Sequence, residues 1–184
     1  MWLERQVVEF CSPTLSGIKT GSLFNFRYEG EKELSGELTR LNESLNAKGV
    51  YFRLLKMCKE RALIYVYREK KLDEELAKEE VSEFLGRMGY APSGSQAAVE
   101  KLNEHFMEGN AFPHEIGVFL GYPIGDVIAF IENKGRNSKY TGCWKVYGNV
   151  DEAKEQFMRF RRCTEIYIRS YERGKNLREL TVSA

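Results

Sequence analysis

Histidine is scarce in this chain, which has only His105 and His114 among its 184 residues. Histidine is the usual general base at neutral pH and the commonest metal ligand. Any mechanism that needs an imidazole must therefore use one of these two residues. His114 is followed by Glu115, but the zinc-protease pattern His-Glu-x-x-His is broken because Val118 stands where the second histidine belongs. The sequence therefore predicts no metal site and no bound cofactor.

The four cysteines lie too far apart in sequence to form a Cys-x-x-Cys pair. This spacing argues against zinc-ribbon and thioredoxin-type motifs. In a reducing compartment the cysteines are expected to be free thiols, and a buried free cysteine packs as a small apolar side chain. The four are Cys11, Cys58, Cys143 and Cys163.

Long apolar stretches are also missing, since no run approaches the roughly 20 residues that a membrane-spanning helix requires. The first residues lack the basic start and apolar middle of a secretion signal. Hydrophobic residues make up 42% of the chain and charged residues 30%, which is typical of a folded globular protein. We therefore expect a cytoplasmic protein that makes no membrane contact and folds as a single globular domain over residues 1–184.

Neither sign of charge dominates the whole chain, whose formal net charge is +1, but the charge is unevenly placed. Residues 134–184 hold 12 basic and 6 acidic residues, a net of +6, whereas the preceding residues have a net of −5. This balance does not favour a nucleic-acid binder. The basic C-terminal quarter can attract an anionic molecule or an acidic protein, or it can neutralise the acidic segment 73–83 of the same fold.

Hydrophobic periodicity predicts alternating strands and helices. Ala62 to Arg68 is rich in β-branched and aromatic residues and is expected to be the central strand. Ile116 to Leu120 is a short apolar run between turns and is interpreted as a buried strand. Strands are predicted at 23–28, 50–57, 62–68, 116–120 and 144–147, and helices at 2–10, 31–47, 73–87, 96–108, 126–132 and 149–173. The pattern predicts an α+β (mixed α/β) fold with one mixed sheet of about five strands packed with helices.

The segment 112–123, Phe-Pro-His-Glu-Ile-Gly-Val-Phe-Leu-Gly-Tyr-Pro, concentrates residues of special geometry or chemistry. Gly121 and Pro123 predict a sharp reversal of the chain. Packing alone does not require Tyr122 at this corner, and its hydroxyl is expected to face the same cleft as His114. Because ligand sites collect at strand ends in α/β sheets, His114 is a candidate ligand contact. A structural hydrogen bond for His114 and core packing for Trp144 are the alternatives.

The segment 11–22 is rich in small and turn-forming residues and is predicted to be a loop. Cys11 can act as a nucleophile with His114 as its base, since the two partners of such a pair are usually distant in sequence. Alternatively, the Cys11 thiol packs inward at the end of the first helix. Lys19 can bind an anionic group or can simply be solvated. The glycine spacing of a Walker loop is missing.

Three strings carry a family resemblance: Cys-Ser-Pro-Thr-Leu-Ser-Gly-Ile-Lys-Thr-Gly-Ser-Leu-Phe at 11–24, the segment 112–123, and Cys-Trp-Lys-Val-Tyr at 143–147. On these strings the chain resembles a bacterial family catalogued as domain of unknown function 3793, over nearly its whole length. The resemblance implies a small single-domain bacterial protein. It implies no activity, cofactor or catalytic residue.

These residues support three hypotheses. The first is a binding or accessory module with a polar cleft for a small anionic ligand, lined by Cys11, Lys19, His114, Glu115, Tyr122 and Trp144. The second is a cysteine-dependent enzyme for acyl transfer or hydrolysis that uses the Cys11–His114 pair. The third is a protein-interaction module that presents its basic C-terminal helix to an acidic partner through Arg159, Arg161 and Arg162. The first two require the segment 11–20 to lie against the bend at 112–123.

Overall fold

Three antiparallel strands form the central sheet of the protein, whose computed structural model describes residues 2–91, 93–108 and 111–183. The strands are β1 (Gly21–Arg27), β2 (Val50–Cys58) and β3 (Arg61–Arg68), in the spatial order β1-β3-β2. The prediction that the third of these segments is the central strand is confirmed. Its β-branched and aromatic side chains fit a position with neighbours on both sides.

Helices flank this sheet, so the chain has the predicted mixed α/β character. They are α1 (Trp2–Leu15), α2 (Glu31–Leu45), α3 (Glu69–Leu76), α4 (Glu79–Gly86), α5 (Gly94–Glu108), α6 (Ile116–Phe119), α7 (Ile124–Glu132), α8 (Val150–Glu172) and α9 (Leu177–Leu180). Even α8, the longest described helix, is too polar to cross a membrane, and the other described helices are too short.

Alternation of side chains along β3 gives the sheet two buried faces. Ile64 and Val66 join the apolar cluster formed with α1 and α2, whereas Tyr65 and Tyr67 join the cluster formed with α3 to α7. The pairing of β2 with β3 shifts between Leu54 and Lys56. A bulge of this kind bends a strand and re-aims its side chains. The sheet is therefore enclosed between two layers of helix.

The predicted single sheet of about five strands is wrong in its strand count and direction. The described residues form one antiparallel three-stranded sheet and a separate antiparallel ribbon, β4 (Tyr140–Thr141) with β5 (Lys145–Val146). The segment predicted as a strand at 144–147 belongs to this ribbon.

The buried strand predicted at Ile116 to Leu120 is also wrong, because this segment forms helix α6. A short apolar run has the same composition in a buried strand and in a buried helix, so its pattern does not separate them. Gly117 permits the helix to pack closely, since a Cβ atom there would lie 2.8 Å from Cγ2 of Val127 in α7. The helix is buried along its whole length.

The loop predicted at 11–22 begins later than expected, because α1 continues to Leu15. The helix ends where the amides of Ile18 and Lys19 both donate to the carbonyl of Pro13, with Gly17 in the left-handed conformation at φ +83°. Glycine adopts this conformation without the steric cost that a Cβ atom imposes. The turn fixes the direction in which the chain leaves α1.

Buried Arg68 connects the end of α1 to the C-terminal segment. Its guanidinium donates to the carbonyls of Thr14 at 2.6 Å, of Leu15, and of Val182 at 2.7 Å. These acceptors include carbonyls from the last turn of α1, which have no partners within the helix. Burial lowers the pKa of Arg68, but arginine remains charged at any physiological pH. The carbonyl contacts compensate the burial of this cation.

Replacing Arg68 by Met should destabilise the protein by about 3 kcal/mol or more, because three hydrogen bonds from a charged donor to main-chain carbonyls are lost. The free energy of unfolding is measured by urea denaturation. Arg61→Met is the matched control, since Arg61 lies on the same strand but is exposed, and it should stay within about 0.5 kcal/mol of the parent. Equal losses in the two variants would contradict the assigned role of Arg68.

Candidate functional site

The bend between α6 and α7 lies directly against the segment that follows α1. Gly121 has φ +74°, and a Cβ atom there would lie 2.7 Å from Oγ1 of Thr20. Glycine is therefore required by both conformation and space. The N–H of Tyr122 donates to the carbonyl of Gly117 at 2.9 Å, and Pro123 precedes the first turn of α7. The expected meeting of segment 11–20 with the bend at 112–123 is thus observed.

A buried carboxylate on α7 holds the ribbon β4–β5 in place. Asp126 accepts hydrogen bonds from Nε1 of Trp144 at 2.8 Å, from the amide of Tyr147 at 2.9 Å and from the amide of Gly148 at 2.8 Å. A carboxylate has enough lone pairs to accept all three donors. Asp126 stands in the first turn of α7, where an acidic residue is favourable at a helix start. Nothing in its spacing signalled that it anchors residues about twenty positions later.

Aromatic rings also pack the bend against the ribbon. Tyr122 stacks on Trp144 with ring centroids 4.9 Å apart, and Phe157 of α8 meets Trp144 edge-on at 4.5 Å. The Tyr122 hydroxyl donates to the carbonyl of Cys143 at 3.2 Å. Offset and edge-to-face pairs of this kind each contribute about 0.5–1.5 kcal/mol beyond burial.

A cleft of about 350 Å³ opens between α6, α7 and the ribbon. Its walls consist mainly of apolar and aromatic side chains, with a few polar groups at the edges. The lining includes Phe112, His114, Tyr122, Phe130, Trp144 and Lys145. Cavities of roughly this volume and character hold small organic ligands.

Two cationic or titratable side chains lie beside the same ring in this cleft. His114 is exposed, and its ring centroid is 5.0 Å from that of Phe130 and 5.9 Å from that of Phe112. Lys145 places Nζ 5.9 Å from the Phe130 centroid and donates to the carbonyl of Gly135. A lysine ammonium has three donors, so this bond leaves Lys145 further capacity.

The structure thus brings together three of the residues predicted for a ligand cleft, namely His114, Tyr122 and Trp144. Lys19 does not line this cleft. Its Nζ instead lies over the rings of Tyr122 at 5.5 Å and Phe160 at 5.8 Å. Lys145, which the sequence patterns did not indicate as a ligand contact, is the lysine that lines the cleft. The signal that pointed towards it was its place in the Cys-Trp-Lys-Val-Tyr string.

Glu115 follows His114 in sequence but points away from the cleft lining. It is buried, and its Oε1 lies 2.7 Å from Nδ1 of His105 and 3.2 Å from the hydroxyl of Tyr90. His105 of α5 therefore shares a buried carboxylate with Tyr90. The helical spacing around His105 gave no indication of this partner.

Cys11 lies in the apolar core between α1 and the sheet, with no exposed surface. Burial raises the pKa of the Cys11 thiol to about 12, against smaller opposing effects of Lys19 and the Ser22 hydroxyl. Since the thiolate is the nucleophile, a buried neutral thiol is inert. The inward-packed alternative describes its position, and the geometry gives no support to a Cys11–His114 pair.

The remaining cysteines are also free thiols, as the sequence predicted. Cys143 is exposed beside the cleft, Cys58 is exposed at the end of β2, and Cys163 is half-buried with its sulfur 3.2 Å from Oγ of Ser16. Within the described residues, no three histidine, cysteine or acidic side chains are grouped so as to hold a metal ion. Arg159, Arg161 and Arg162 are exposed on α8.

Comparison with known families identifies the family of this chain. The model of a protein family described as "Protein of unknown function (DUF3793)" covers residues 7–181, and the chain belongs to this family. No curated protein and no solved structure is significantly similar to it.

Asp126→Asn should release the ribbon, because an amide has only one acceptor oxygen and turns a donor towards N–H groups. We expect a loss of about 2–4 kcal/mol in the free energy of unfolding and a red-shifted Trp144 emission. Urea denaturation and fluorescence spectroscopy measure the two effects. The exposed α8 residue Glu155 supplies the control, Glu155→Gln. A native Trp144 spectrum in the Asp126 variant would refute the anchoring role.

Thiol labelling should discriminate sharply among the cysteines. With iodoacetamide at pH 8, Cys58 and Cys143 should be alkylated while Cys11 stays unmodified until the protein is unfolded, because a buried neutral thiol does not react. Peptide mass spectrometry gives the extent of labelling at each site. Early alkylation of Cys11 in folded protein would revive the cysteine-enzyme hypothesis.

Proposed function

We propose that this protein is a binding module that holds a small anionic molecule with an aromatic or apolar body in the cleft between α6, α7 and the ribbon. The observation that carries the proposal is the arrangement around Phe130. An apolar cavity ends there at two side chains capable of meeting an anion, His114 and Lys145. Since the family has no assigned activity, the proposal depends on this geometry.

The walls favour a ligand with a planar or apolar body. Tyr122, Trp144 and Phe130 present ring surface to the cavity. Four aliphatic side chains add to the apolar lining, namely Leu23, Ile116, Leu120 and Val127. Burial of apolar surface contributes about 25 cal/mol per Å². The volume of about 350 Å³ is at the lower end of the range for ligand sites, which favours a molecule of one or two rings.

The polar edge favours a negative group on that ligand. His114 and Lys145 both lie against the Phe130 ring, so a carboxylate, sulfonate or phosphate near that ring can approach both. The acidic residue at the cleft is Asp126, and its oxygens already accept three hydrogen bonds from the ribbon. These three donors partly offset the negative charge of Asp126. Asp126 therefore repels a bound anion less than a carboxylate without hydrogen-bond donors would.

A pair of matched fluorescent probes tests the proposal. The aromatic sulfonate 8-anilinonaphthalene-1-sulfonate and its uncharged relative N-phenyl-1-naphthylamine share an apolar body and differ in the anion. Lys145→Met should weaken binding of the sulfonate about tenfold, equivalent to about 1.4 kcal/mol, and should change binding of the neutral probe little. Fluorescence titration measures both affinities.

Lys139→Met is the control for this experiment, because Lys139 also donates to a loop carbonyl, that of Gly148, but lies outside the cleft lining. The chain has two tryptophans, so titration in a Trp2→Phe background isolates quenching of Trp144 and locates the probe. Equal effects of Lys145→Met and Lys139→Met, or sulfonate binding without quenching of Trp144, would overturn the proposal.

A further inference from the structure

A second cavity, of about 280 Å³, lies at the edge of the central sheet beside β2, α2 and α5. In the spatial order β1-β3-β2, strand β2 stands at one edge of the described sheet. The Asn42 amide of α2 covers part of this edge, because it donates to the carbonyl of Phe52 at 3.0 Å and accepts from the Phe52 N–H at 2.8 Å. The lining is mostly polar and includes Asn42, Tyr51, Arg53, Tyr67, Gln96 and Glu100.

Regular elements direct these side chains into the cavity. Tyr51 and Arg53 are two residues apart on β2 and therefore share one face of the sheet. Tyr67 of β3 is the register partner of Tyr51 and lies on the same face. Gln96 and Glu100 are four residues apart on α5, which places them on one face of that helix. The cavity is therefore built from a sheet and a helix, and its shape follows from their packing.

The hydroxyl of Tyr67 differs from those of the two tyrosines beside it. Tyr67 is only 4% exposed, and its ring stacks on those of Tyr51 and Tyr65 with centroids 5.6 and 5.0 Å away. The Tyr51 hydroxyl donates to Glu69 at 3.1 Å, and the Tyr65 hydroxyl donates to the carbonyl of Phe119 at 2.6 Å. A buried tyrosine hydroxyl usually has such a partner. The Tyr67 hydroxyl forms no hydrogen bond with the residues that the structure describes.

This hydroxyl is accessible from the cavity. The fully enclosed side-chain atoms that lack a partner in the described ranges are Oε1 of Gln6 and Oδ1 of Asn103, and the Tyr67 hydroxyl is not one of them. Because it is neither bonded nor enclosed, its free surface faces the cavity that Tyr67 lines. Burial raises the pKa of Tyr67 to about 12, so the hydroxyl is neutral at physiological pH and can donate and accept. A phenylalanine would keep both ring contacts without burying an unpaired polar group. Packing therefore does not require this hydroxyl.

The charged groups around the cavity are already compensated. Nη2 of Arg53 lies 3.3 Å from Oε1 of Glu100. Glu69, which lies beside the cavity, accepts hydrogen bonds from the Tyr51 hydroxyl and from Nε2 of Gln96 at 3.0 Å. These contacts leave no charge at the cavity that calls for a counter-ion.

We propose that this cavity binds a small neutral molecule rich in hydroxyl groups, about the size of a monosaccharide, with the Tyr67 hydroxyl as a direct contact. The free hydrogen-bonding capacity is that of Tyr67, the amide oxygen of Gln96 and the further N–H groups of Arg53. Donors and acceptors without uncompensated charge suit a ligand whose own groups both donate and accept, as hydroxyls do. The volume of about 280 Å³ limits the ligand to a single ring.

Titration with neutral and charged probes tests the proposal. The neutral probes are D-ribose, D-glucose and myo-inositol, and the charged probes are acetate and methylammonium. Proton–nitrogen correlation spectra follow the side-chain amide of Gln96 and the Nε–H of Arg53. At least one neutral probe should shift these signals to saturation and should bind more tightly than either charged probe. Absence of saturable shifts with all three neutral probes, or tighter binding of a charged probe, would overturn the proposal.

Removal of the hydroxyl alone gives a matched variant. Tyr67→Phe should weaken binding of the neutral probe about tenfold, yet leave the urea midpoint of unfolding unchanged because no protein partner is lost. Tyr140→Phe is the control, since Tyr140 is exposed and lies outside the cavity lining, and its affinity should equal that of the parent. A destabilised Tyr67→Phe protein, or one that binds the probe as the parent does, would contradict the assigned role of the hydroxyl.

Arg53 provides a separate test of the neutral class of ligand. Arg53→Gln removes the charge but keeps N–H donors, so it should bind the neutral probe, whereas Arg53→Met should bind it more weakly. Equal affinities of these two variants would show that Arg53 does not act as an uncharged donor would. None of the described residues lines both this cavity and the cleft beside the ribbon. The sulfonate titration and the present one therefore succeed or fail independently.

Discussion

The hydrogen bonds to Asp126 determine whether the candidate site exists at all. A ribbon with two residues in each strand has too few ladder bonds to persist alone in water. Its position is set by the carboxylate, which joins α7 to the Trp144 indole and to two backbone amides of the ribbon. Because the ribbon supplies one wall of the cleft, the geometry of that wall follows from a single buried side chain on α7.

A second set of contacts fixes the opposite side of the site. Arg68 binds carbonyls at the end of α1, and the turn there directs Lys19 towards Tyr122. Thr20 then packs against Gly121, where a side chain has no room. The two anchors meet at Tyr122, whose ring stacks on Trp144 and also faces Lys19. Tyr122 is thus held from both sides, which explains a tyrosine at a corner where packing alone did not require one.

Sequence patterns predicted the elements whose signal is local. Strand β3 was recognised as central from its β-branched and aromatic residues, and α8 was recognised from its long apolar stripe. The predictions failed where the signal was ambiguous or distant. The apolar run in α6 is too short for periodicity to separate helix from strand. The extension of α1 through Pro13 was missed because small and turn-forming residues were read as a loop.

The site itself was only partly predictable. The sequence allowed His114, Tyr122 and Trp144 to be assigned to one cleft, because all three stand in segments that contain residues which packing alone does not require. The partnership of Glu115 with His105 was not, because it depends on how α5 packs near the start of α6. The burial of Cys11 likewise depends on which face of α1 meets the sheet. Side chains adjacent in sequence can therefore lie in unrelated environments: His114 lines the cleft, whereas Glu115 is buried beside His105.

The contacts of the basic residues in 134–184 show what lies beside their charges. Among the ion pairs of the described residues, none joins 134–184 to the acidic segment 73–83, whose pairs are local, such as Glu75 with Lys78. Several lysines around the ribbon lie over aromatic rings instead, as Lys145 does over Phe130 and Lys154 over Tyr140 at 5.1 Å. A ring attracts a cation without cancelling its charge. Neither Lys145 nor Lys154 takes part in an ion pair of the described residues, so the charges of both side chains remain able to attract an anion.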